Sequence, residues 1–476
     1  MANESAAAAR KKLYLETVGC QMNMLDSEIV AAKLRDEGYD LTQDVNAADA
    51  VFYNTCSVRQ HAEDKTYSAL GRIKRLKERN PGVAIGVLGC MAQKDQATIL
   101  KRAPHVDLVV GPGQIDRIPE LLAAAKSGNP PAIAVSKSRR DGTLEVIASS
   151  FTVYDPDREP SLRPTPFQAF IRVMMGCDKF CTYCVVPSVR GPEQSREPEA
   201  IVAEARMLVD QGVREITLLG QTVNSYQKRS ADGRITRLSD ILERVQAVPG
   251  IERVKFVTNF PNDMSQDLLQ AVRDFPKISR SIHVPAQSGC DQILKRMKRM
   301  YTASFYEEML ARARETIPGV AISSDFIVGF CGEDEAAFER TMGLVERGRF
   351  KNSFIFKYST RLGTKADAIY ADDVPDDVKK RRNNELLALQ TRISLEDNQR
   401  FVGREVEVLV EGPSRSTARR EGWEGVSQLV GRTSCDRITA FAGELELVGR
   451  FVRVRVEGAS AVTLFGRVET PLASAW

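Results

Sequence analysis

The sequence predicts an α/β protein in three successive parts: an N-terminal parallel-sheet α/β domain, a partial (βα)6 barrel and a small C-terminal β-barrel. Three observations lead there. Strand and helix patterns alternate over the first 110 residues, which implies βαβ units and a parallel sheet. A second alternating series begins at Phe170 and runs to Tyr358. From Phe401 on, short β-rich segments follow one another with glycines between them. The length of 476 residues suits roughly three domains. Hydrophobic residues at 43% and charged residues at 27% are ordinary globular proportions, so a disordered, collagenous or wholly membrane-spanning chain is excluded.

In the first part, Leu13–Val18 reads as a strand ending at Gly19-Cys20, and a helical stretch follows over Leu25–Glu37. Ala50–Asn54 is the second strand, ending at Thr55-Cys56, before a charged helix from Arg59 to Arg79. Val83–Leu88 is the third, ending at Gly89-Cys90, and Val106–Val110 is the fourth. Right-handed βαβ crossovers put the carboxyl ends of all parallel strands on one edge of the sheet. Cys20, Cys56 and Cys90 are therefore expected together on the edge where open α/β sheets bind ligands.

Ser127–Pro131 and Glu159–Pro166 are loop-like, which predicts a linker with room for a strand or two. Domain boundaries are accordingly expected at 11–125, 126–165 (linker), 166–397 and 398–470. The barrel strands are Phe170–Met175, Glu215–Leu219, Val254–Thr258, Ser281–Val284, Ala321–Val328 and Ser353–Tyr358. Six βα units make a partial barrel rather than a closed one of eight. Gln221, Asn224, Asn259, Gln287, Asp325, Ser359 and Arg361 follow or end these strands, on the face that carries active sites in such barrels; each could equally be a turn or cap residue. A charged helix over Val378–Gln399 leads to candidate strands Glu405–Val410, Gly425–Val430, Glu444–Val448, Phe451–Val456 and Val462–Val468. Small β-barrels often bind nucleic acid, but a packing module has the same pattern.

The net charge of +4 neither demands nor excludes nucleic acid. The basic runs Arg72–Arg79 and Lys295–Arg299 are expected as solvated helix faces. The start of the chain lacks the arrangement of a secretory signal, so a cytosolic protein is expected. There, nine cysteines are a poor disulfide framework, and with only three histidines any metal site is expected to be built of thiolates.

The densest cluster is Gly176-Cys177-Asp178-Lys179-Phe180-Cys181-Thr182-Tyr183-Cys184, a C-x3-C-x2-C loop directly after the first barrel strand. Three thiolates on one short loop can hold three irons of a [4Fe–4S] cluster and leave the fourth open. Zinc is the rival; a structural zinc site normally closes with a fourth Cys or His, and none stands nearby. Cys20, Cys56 and Cys90 read as a second such triad. The reading of each alone is a buried small hydrophobe, which three on one edge make improbable. Cys290, Cys331 and Cys435 are assigned as non-ligand thiols.

The loop spacing resembles the radical S-adenosylmethionine superfamily. The two triads in this order resemble its methylthiotransferase family, over nearly the whole chain. The tRNA branch acting on isopentenyl-type adenosine is the nearest, through Asn54-Thr-Cys-Ser-Val-Arg59, Ala69-Leu-Gly-Arg-Ile-Lys-Arg-Leu-Lys77, Leu218-Leu-Gly-Gln-Thr-Val-Asn-Ser-Tyr226, Met297-Lys-Arg-Met-Tyr-Thr302 and Ser394-Leu-Glu-Asp-Asn398. Pro192 before Glu193, Cys290, Cys331 and Leu362 depart from its usual pattern. The resemblance implies an N-terminal methylthiotransferase domain with an auxiliary cluster on Cys20, Cys56 and Cys90, a radical core whose cluster on Cys177, Cys181 and Cys184 binds S-adenosylmethionine, and a C-terminal TRAM-type barrel that helps bind RNA. It implies two [4Fe–4S] clusters and two S-adenosylmethionine molecules per turnover, one methylating a cluster-held sulfur and one cleaved to a 5′-deoxyadenosyl radical. Gln221, Asn224, Gln287 and Asp325 become candidate cosubstrate contacts. The expected substrate is the isopentenylated adenosine at position 37 in a tRNA anticodon stem-loop, methylthiolated at carbon 2. Expected partners are a flavodoxin- or ferredoxin-type electron donor and a sulfur-supply or cluster-repair protein. Alternatives are methylthiolation of threonylcarbamoyladenosine or of a ribosomal protein, against which Cys56-Ser-Val-Arg59 argues, and a non-catalytic zinc-containing RNA-binding protein.

Overall fold

A computed structural model describes residues 10–57, 60–138, 143–150, 157–415 and 427–471. Val58 and Arg59 of the Asn54-to-Arg59 sequence, the start of the chain, and the beginning of the expected strand Gly425–Val430 lie outside the described residues. The chain forms two compact units: residues 1–166 with 174–180 and 184–196, and residues 167–173 with 181–183 and 197–476.

The first unit holds β1 (Lys11–Val18), α1 (Gln21–Asp36), β2 (Tyr39–Leu41), β3 (Ala50–Thr55), α2 (Gln60–Arg79), β4 (Ala84–Gly89), α3 (Cys90–Asp95), β5 (Leu108–Val110) and β6 (Ala132–Ala134). The sheet order is β2-β1-β3-β4-β5-β6, and every pairing is parallel. β3 and β4 are buried along their whole length, as strands covered on both faces must be. α2 buries Ala69, Leu70, Ile73 and Leu76 against the sheet and exposes Arg72, Lys74, Arg75 and Arg79, so this basic run is the solvated face expected. Lys77 turns back and pairs with Asp107 at 2.8 Å. α1 is different: it is buried almost all round, Asp26 and Glu28 included. Each charge has basic company, Arg190 for Asp26 and Arg158 and Arg163 for Glu28. Met174–Met175 and Gln194–Ser195 add a small antiparallel pair.

The second unit begins with β7 (Gln168–Arg172) and continues through α4 (Pro198–Asp210), β8 (Glu215–Leu219), α5 (Leu238–Gln246), β9 (Arg253–Phe256), α6 (Gln266–Asp274), β10 (Ser281–His283), α7 (Ala303–Thr316), β11 (Ala321–Val328), α8 (Glu335–Gly348), β12 (Asn352–Lys357) and α9 (Asp376–Gln399). β7-β8-β9 and β10-β11-β12 are parallel three-stranded sheets. A parallel bridge from Val254 to Ile278 and the bond from Asn259 N–H to the His283 carbonyl, 3.0 Å, join them into one open six-strand barrel wall. The face with Ile282, Ile322, Phe326 and Val328 is buried under the helices, whereas His283, Asp325 and Phe354 on the other face are partly accessible.

β13 (Glu405–Pro413), β14 (Gln428–Thr433), β15 (Ile438–Ala442), β16 (Phe451–Ala459) and β17 (Thr463–Pro471) close into a barrel of order β13-β14-β15-β17-β16 around Val408, Val410, Leu429, Phe441, Val452 and Val454. Here one expectation is corrected. Glu444–Val448 is no strand; its centre, Leu445–Leu447, is a single 3₁₀ turn, and the strand is Ile438–Ala442. Five residues between Gly443 and a left-handed Gly449 are too few to cross the barrel and return, and Leu445 faces solvent.

The barrel sits against the amino ends of the βα strands in the same unit. Lys351 and Lys255 both reach the Asp436 carboxylate, at 3.0 and 3.3 Å. Arg253, paired with Glu215, donates to the Arg432 carbonyl at 3.0 Å, and Ser279 donates to that of Ser434 at 2.6 Å. These contacts are made at the amino ends of the strands, not at their carboxyl ends.

Candidate active site

In the first unit, Cys20 follows β1 and caps α1, Cys56 follows β3, and Cys90 opens α3 after β4. The three strands are neighbours, so the cysteines meet at one carboxyl edge. Cys56 and Cys90 are buried, and Cys20 is at the exposed rim. Amides build the floor. Asn23 Nδ2 donates to Asn54 Oδ1 at 2.9 Å, and Asn54 Nδ2 donates to the Asn23 carbonyl and to Ser27 Oγ at 2.8 and 2.9 Å. Asn23 Oδ1 accepts from the Cys20 N–H and thiol, both at 3.3 Å. This bond to the backbone starts α1 four residues before the expected Leu25.

A buried guanidinium lies among these thiols. Arg190 Nε donates to Cys90 Sγ at 3.3 Å, and Arg190 Nη2 is 2.8 Å from Asp26 Oδ2. A hydrogen bond from Cys56, aided by Arg190, pulls the Cys20 thiol down to about 6 against the opposing effect of burial. Burial pushes the Cys90 thiol up, with Arg190 opposing. Of Cys20 and Cys90, Cys20 is thus the thiol held lower.

The C-x3-C-x2-C loop leaves Met175 through Gly176, at φ +80°, where a Cβ would run into the Pro192 carbonyl. In the first unit, the Cys177 N–H donates to the Gly191 carbonyl at 3.1 Å, Asp178 and Glu193 exchange backbone-to-carboxylate bonds, and Cys184 Sγ accepts from the Val186 N–H at 3.5 Å. In the second unit, Thr182 Oγ1 donates to the Arg296 carbonyl at 2.8 Å. Arg299 Nη1 donates to Cys181 Sγ at 3.3 Å, and Arg299 Nη2 to the Pro285 carbonyl at 2.8 Å. The Lys295–Arg299 run is therefore not a solvated helix face. The helix stops at Arg296, and Arg299 is buried because the left-handed residues on either side of it, Lys298 and Met300, turn it inward.

The four candidate cosubstrate residues have different surroundings. Asn224 is committed: Nδ2 donates to the Phe260 carbonyl at 2.8 Å and Oδ1 accepts from the Phe260 N–H at 2.7 Å, so it closes a turn. Gln287 holds a left-handed backbone and exchanges backbone bonds with Asp325 and Ile327. Asp325 Oδ2 lies 3.4 Å from His283 Nε2. Gln221 Oε1, Asp325 Oδ1 and Asn259 Oδ1 are buried acceptors with no donor among the described residues. Three such acceptors fit a ligand rich in N–H donors. Cys290, Cys331 and Cys435 are buried free thiols.

Asn23, Asn54, Asp26, Arg190 and Arg299 were not singled out from the sequence. Asn23 stands three residues after Cys20 and Asn54 opens the motif around Cys56; Arg299 lies in the Met297-to-Thr302 motif and in a basic run read as solvated, and nothing gives either arginine a role beside a cysteine. Among the described residues, no group of three His, Cys, Asp or Glu side chains is arranged to hold a single metal ion.

Three family models match the chain: "Uncharacterized protein family UPF0004" over residues 12–111, "Radical SAM superfamily" over 171–345 and "TRAM domain" over 399–468. A solved radical S-adenosylmethionine methyltransferase, TsrM from Kitasatospora setae, shares the fold with a TM-score of 0.53 at 14% identity, over 75% of this chain and 77% of that one. Open barrel, cysteine loop and matches together define a radical S-adenosylmethionine enzyme with a TRAM barrel. Among curated relatives, a Rhodopirellula baltica protein named tRNA-2-methylthio-N(6)-dimethylallyladenosine synthase is 55% identical over 97% of this chain and 96% of its own length. The Moorella thermoacetica protein of the same name is 42% identical over 97% and 99%. The chain belongs to the tRNA-2-methylthio-N(6)-dimethylallyladenosine synthase family, and tRNA is its substrate.

Proposed function

We propose that the chain transfers a methylthio group to carbon 2 of N(6)-isopentenyladenosine at position 37 of tRNA, and that Cys20, Cys56 and Cys90 hold one [4Fe–4S] cluster while Cys177, Cys181 and Cys184 hold another. The observation that carries this is the meeting of three cysteines, each from a different βα turn, at one sheet edge beside a buried guanidinium. Three sulfurs per cube leave one iron open. Such clusters, when bound, supply the electron that cleaves S-adenosylmethionine and the seat for the sulfur to be transferred. The chain's own residues do the rest. Asn23 and Asn54 fix Cys20 and the turn before Cys56. Gln221, Asp325 and Asn259 offer acceptors to the amino groups of S-adenosylmethionine, with Gln287 beside them; Asn224 shapes the pocket through Phe260. The adenine must leave its stack to enter the barrel mouth, and phosphate contacts from α2 and the TRAM barrel hold the anticodon stem-loop.

The working division is a methylthiotransferase part over 11–125, a linker over 126–165, a radical core over 166–397 and the TRAM barrel over 398–470. A flavodoxin- or ferredoxin-type protein delivers electrons, and a sulfur-supply or cluster-repair protein restores the consumed cluster. Among the described residues no helix is long and apolar enough to cross a membrane; the cytoplasm, where tRNA is modified, is the proposed location.

Anaerobic reconstitution tests this. About eight irons per chain are expected, and about four in Cys20→Ala/Cys56→Ala/Cys90→Ala. Incubation with an isopentenylated anticodon stem-loop, S-adenosylmethionine and a reductant should yield the methylthio nucleoside and 5′-deoxyadenosine. A colourless zinc-loaded protein, or methylthiolation of threonylcarbamoyladenosine instead, would defeat the proposal.

A further inference from the structure

Each cysteine triad has one sulfur that accepts from a buried arginine, and the two arginines differ in their counter-charges. Arg190, 2% exposed, bonds Cys90 Sγ and stands against the Asp26 carboxylate, itself 1% exposed. Asp26 offsets much of its charge within one residue's reach. Arg299, 5% exposed, bonds Cys181 Sγ, but its other partners are neutral: the Pro285 carbonyl, the Tyr301 hydroxyl at 2.8 Å, and the rings of Phe260 and Tyr301 at 4.8 and 5.2 Å. Among the described residues no carboxylate pairs with it.

Reduction adds a negative charge to a cluster. Hydrogen bonds to sulfur and net charge nearby set how readily that happens, and a charge acts strongly where water is excluded. We propose that Arg299 and Arg190 are positioning residues that raise the reduction potentials of the two clusters, Arg299 as a cation with no carboxylate beside it plus a hydrogen bond, Arg190 as a hydrogen bond with a charge that Asp26 largely offsets. Arg299 therefore has the larger effect. This rests on the two-cluster reading above.

The test uses the full chain, reconstituted anaerobically, in two backgrounds. Cys20→Ala/Cys56→Ala/Cys90→Ala leaves the loop cluster, and Cys177→Ala/Cys181→Ala/Cys184→Ala leaves the other. Each is titrated against solution potential and read by electron paramagnetic resonance. In the first background, Arg299→Gln should lower the ratio of reduced to oxidised cluster at a fixed potential about tenfold, equivalent to about 59 mV for a one-electron couple. Arg299→Lys, which keeps the charge, should move it less. In the second, Arg190→Gln with Asp26→Asn, a pair that leaves no lone buried charge, should move it in the same direction by less than Arg299→Gln does. Unchanged potentials with iron retained overturn the proposal, as does a larger shift at Arg190. Should a glutamine chain lose its iron, Arg299→Lys or Arg190→Lys is read instead: each keeps the charge but loses the guanidinium's fixed fork of donors to sulfur, so a shift towards lower potential supports the proposal, and an unmoved one overturns it. Failure of the two-cluster reading is seen separately, as about four irons or none in the chain with all cysteines intact.

Discussion

Gly89 shows how little freedom the cysteine edge leaves. It stands before Cys90 with φ +89° and ψ −155°, a region essentially restricted to glycine. A Cβ there would collide with Asn54 Oδ1 and the Thr55 carbonyl, the groups that set the Cys56 turn. Gly89→Ala is expected to cost about 2–3 kcal/mol in chemical unfolding, and to lower iron in the reconstituted chain from about eight towards about four. Gly38→Ala, also at positive φ but with open space around it, should cost less and leave the iron unchanged. At this scale the cysteines were legible in the sequence because a thiol after each of three strand ends is rare. The groups that hold them were not, since an asparagine or arginine gains its meaning only from the neighbours it reaches across the fold.

Elements are fastened to one another by buried charge. In the second unit, Glu333 lies in the turn between β11 and α8, accepts from the Gly329 N–H at 2.7 Å, and meets Arg382 of α9 at 3.0 Å. Burial raises its carboxyl to about 7, and the Gly329 amide and Arg382 only partly oppose this. The folded state thus holds this proton more tightly than the unfolded chain does. Its contribution is full below the ordinary carboxylate range, near pH 4.5, and is lost as pH rises through about 7. Thermal unfolding should show a fall in midpoint across that window that flattens in Glu333→Gln. Asp436 behaves in the opposite sense. Burial would raise its carboxyl, but Lys351, Lys255 and Arg432 hold it far below the usual range. Its stabilisation is present at neutral pH and lost in acid. Asp436→Asn leaves Lys351 without its carboxylate, while Lys255 keeps Glu215 at 3.1 Å, and should destabilise the unit by about 3 kcal/mol at pH 7, with little difference from the parent chain once the carboxyl is protonated. Most parallel strands of both alternating regions were readable because an apolar run between turn signals repeats with little variation; the three-residue edge strands Tyr39–Leu41 and Ala132–Ala134 are too short to carry that signal, and the expected Phe170–Met175 is a parallel strand over Gln168–Arg172 with Met174–Met175 in a separate antiparallel pair. The 3₁₀ turn at Leu445–Leu447 was misread because Glu-Leu-Glu-Leu alternates like a strand, while glycines at 443 and 449 leave it no length to pair.

For the whole molecule, the net charge of +4 hides separate basic surfaces. The exposed cations of α2, together with Arg404, Arg450 and Arg453 of the TRAM barrel, face solvent. Binding of an anticodon stem-loop should weaken steeply with added salt, and Arg72→Ala/Lys74→Ala/Arg75→Ala should reduce the slope of log affinity against log salt by about 2. The order of parts along the chain was legible, but not its path between them. Between residues 166 and 197 the backbone changes unit five times. Arg190 and the helix Val186–Val189, which packs on Cys90, are supplied to the first unit by sequence that follows β7 of the second. No single break in the gene could release either half with all its parts. A fragment ending at Pro166 would carry three sulfurs and no guanidinium to answer them, so the two halves of this enzyme can only be inherited, exchanged or lost together.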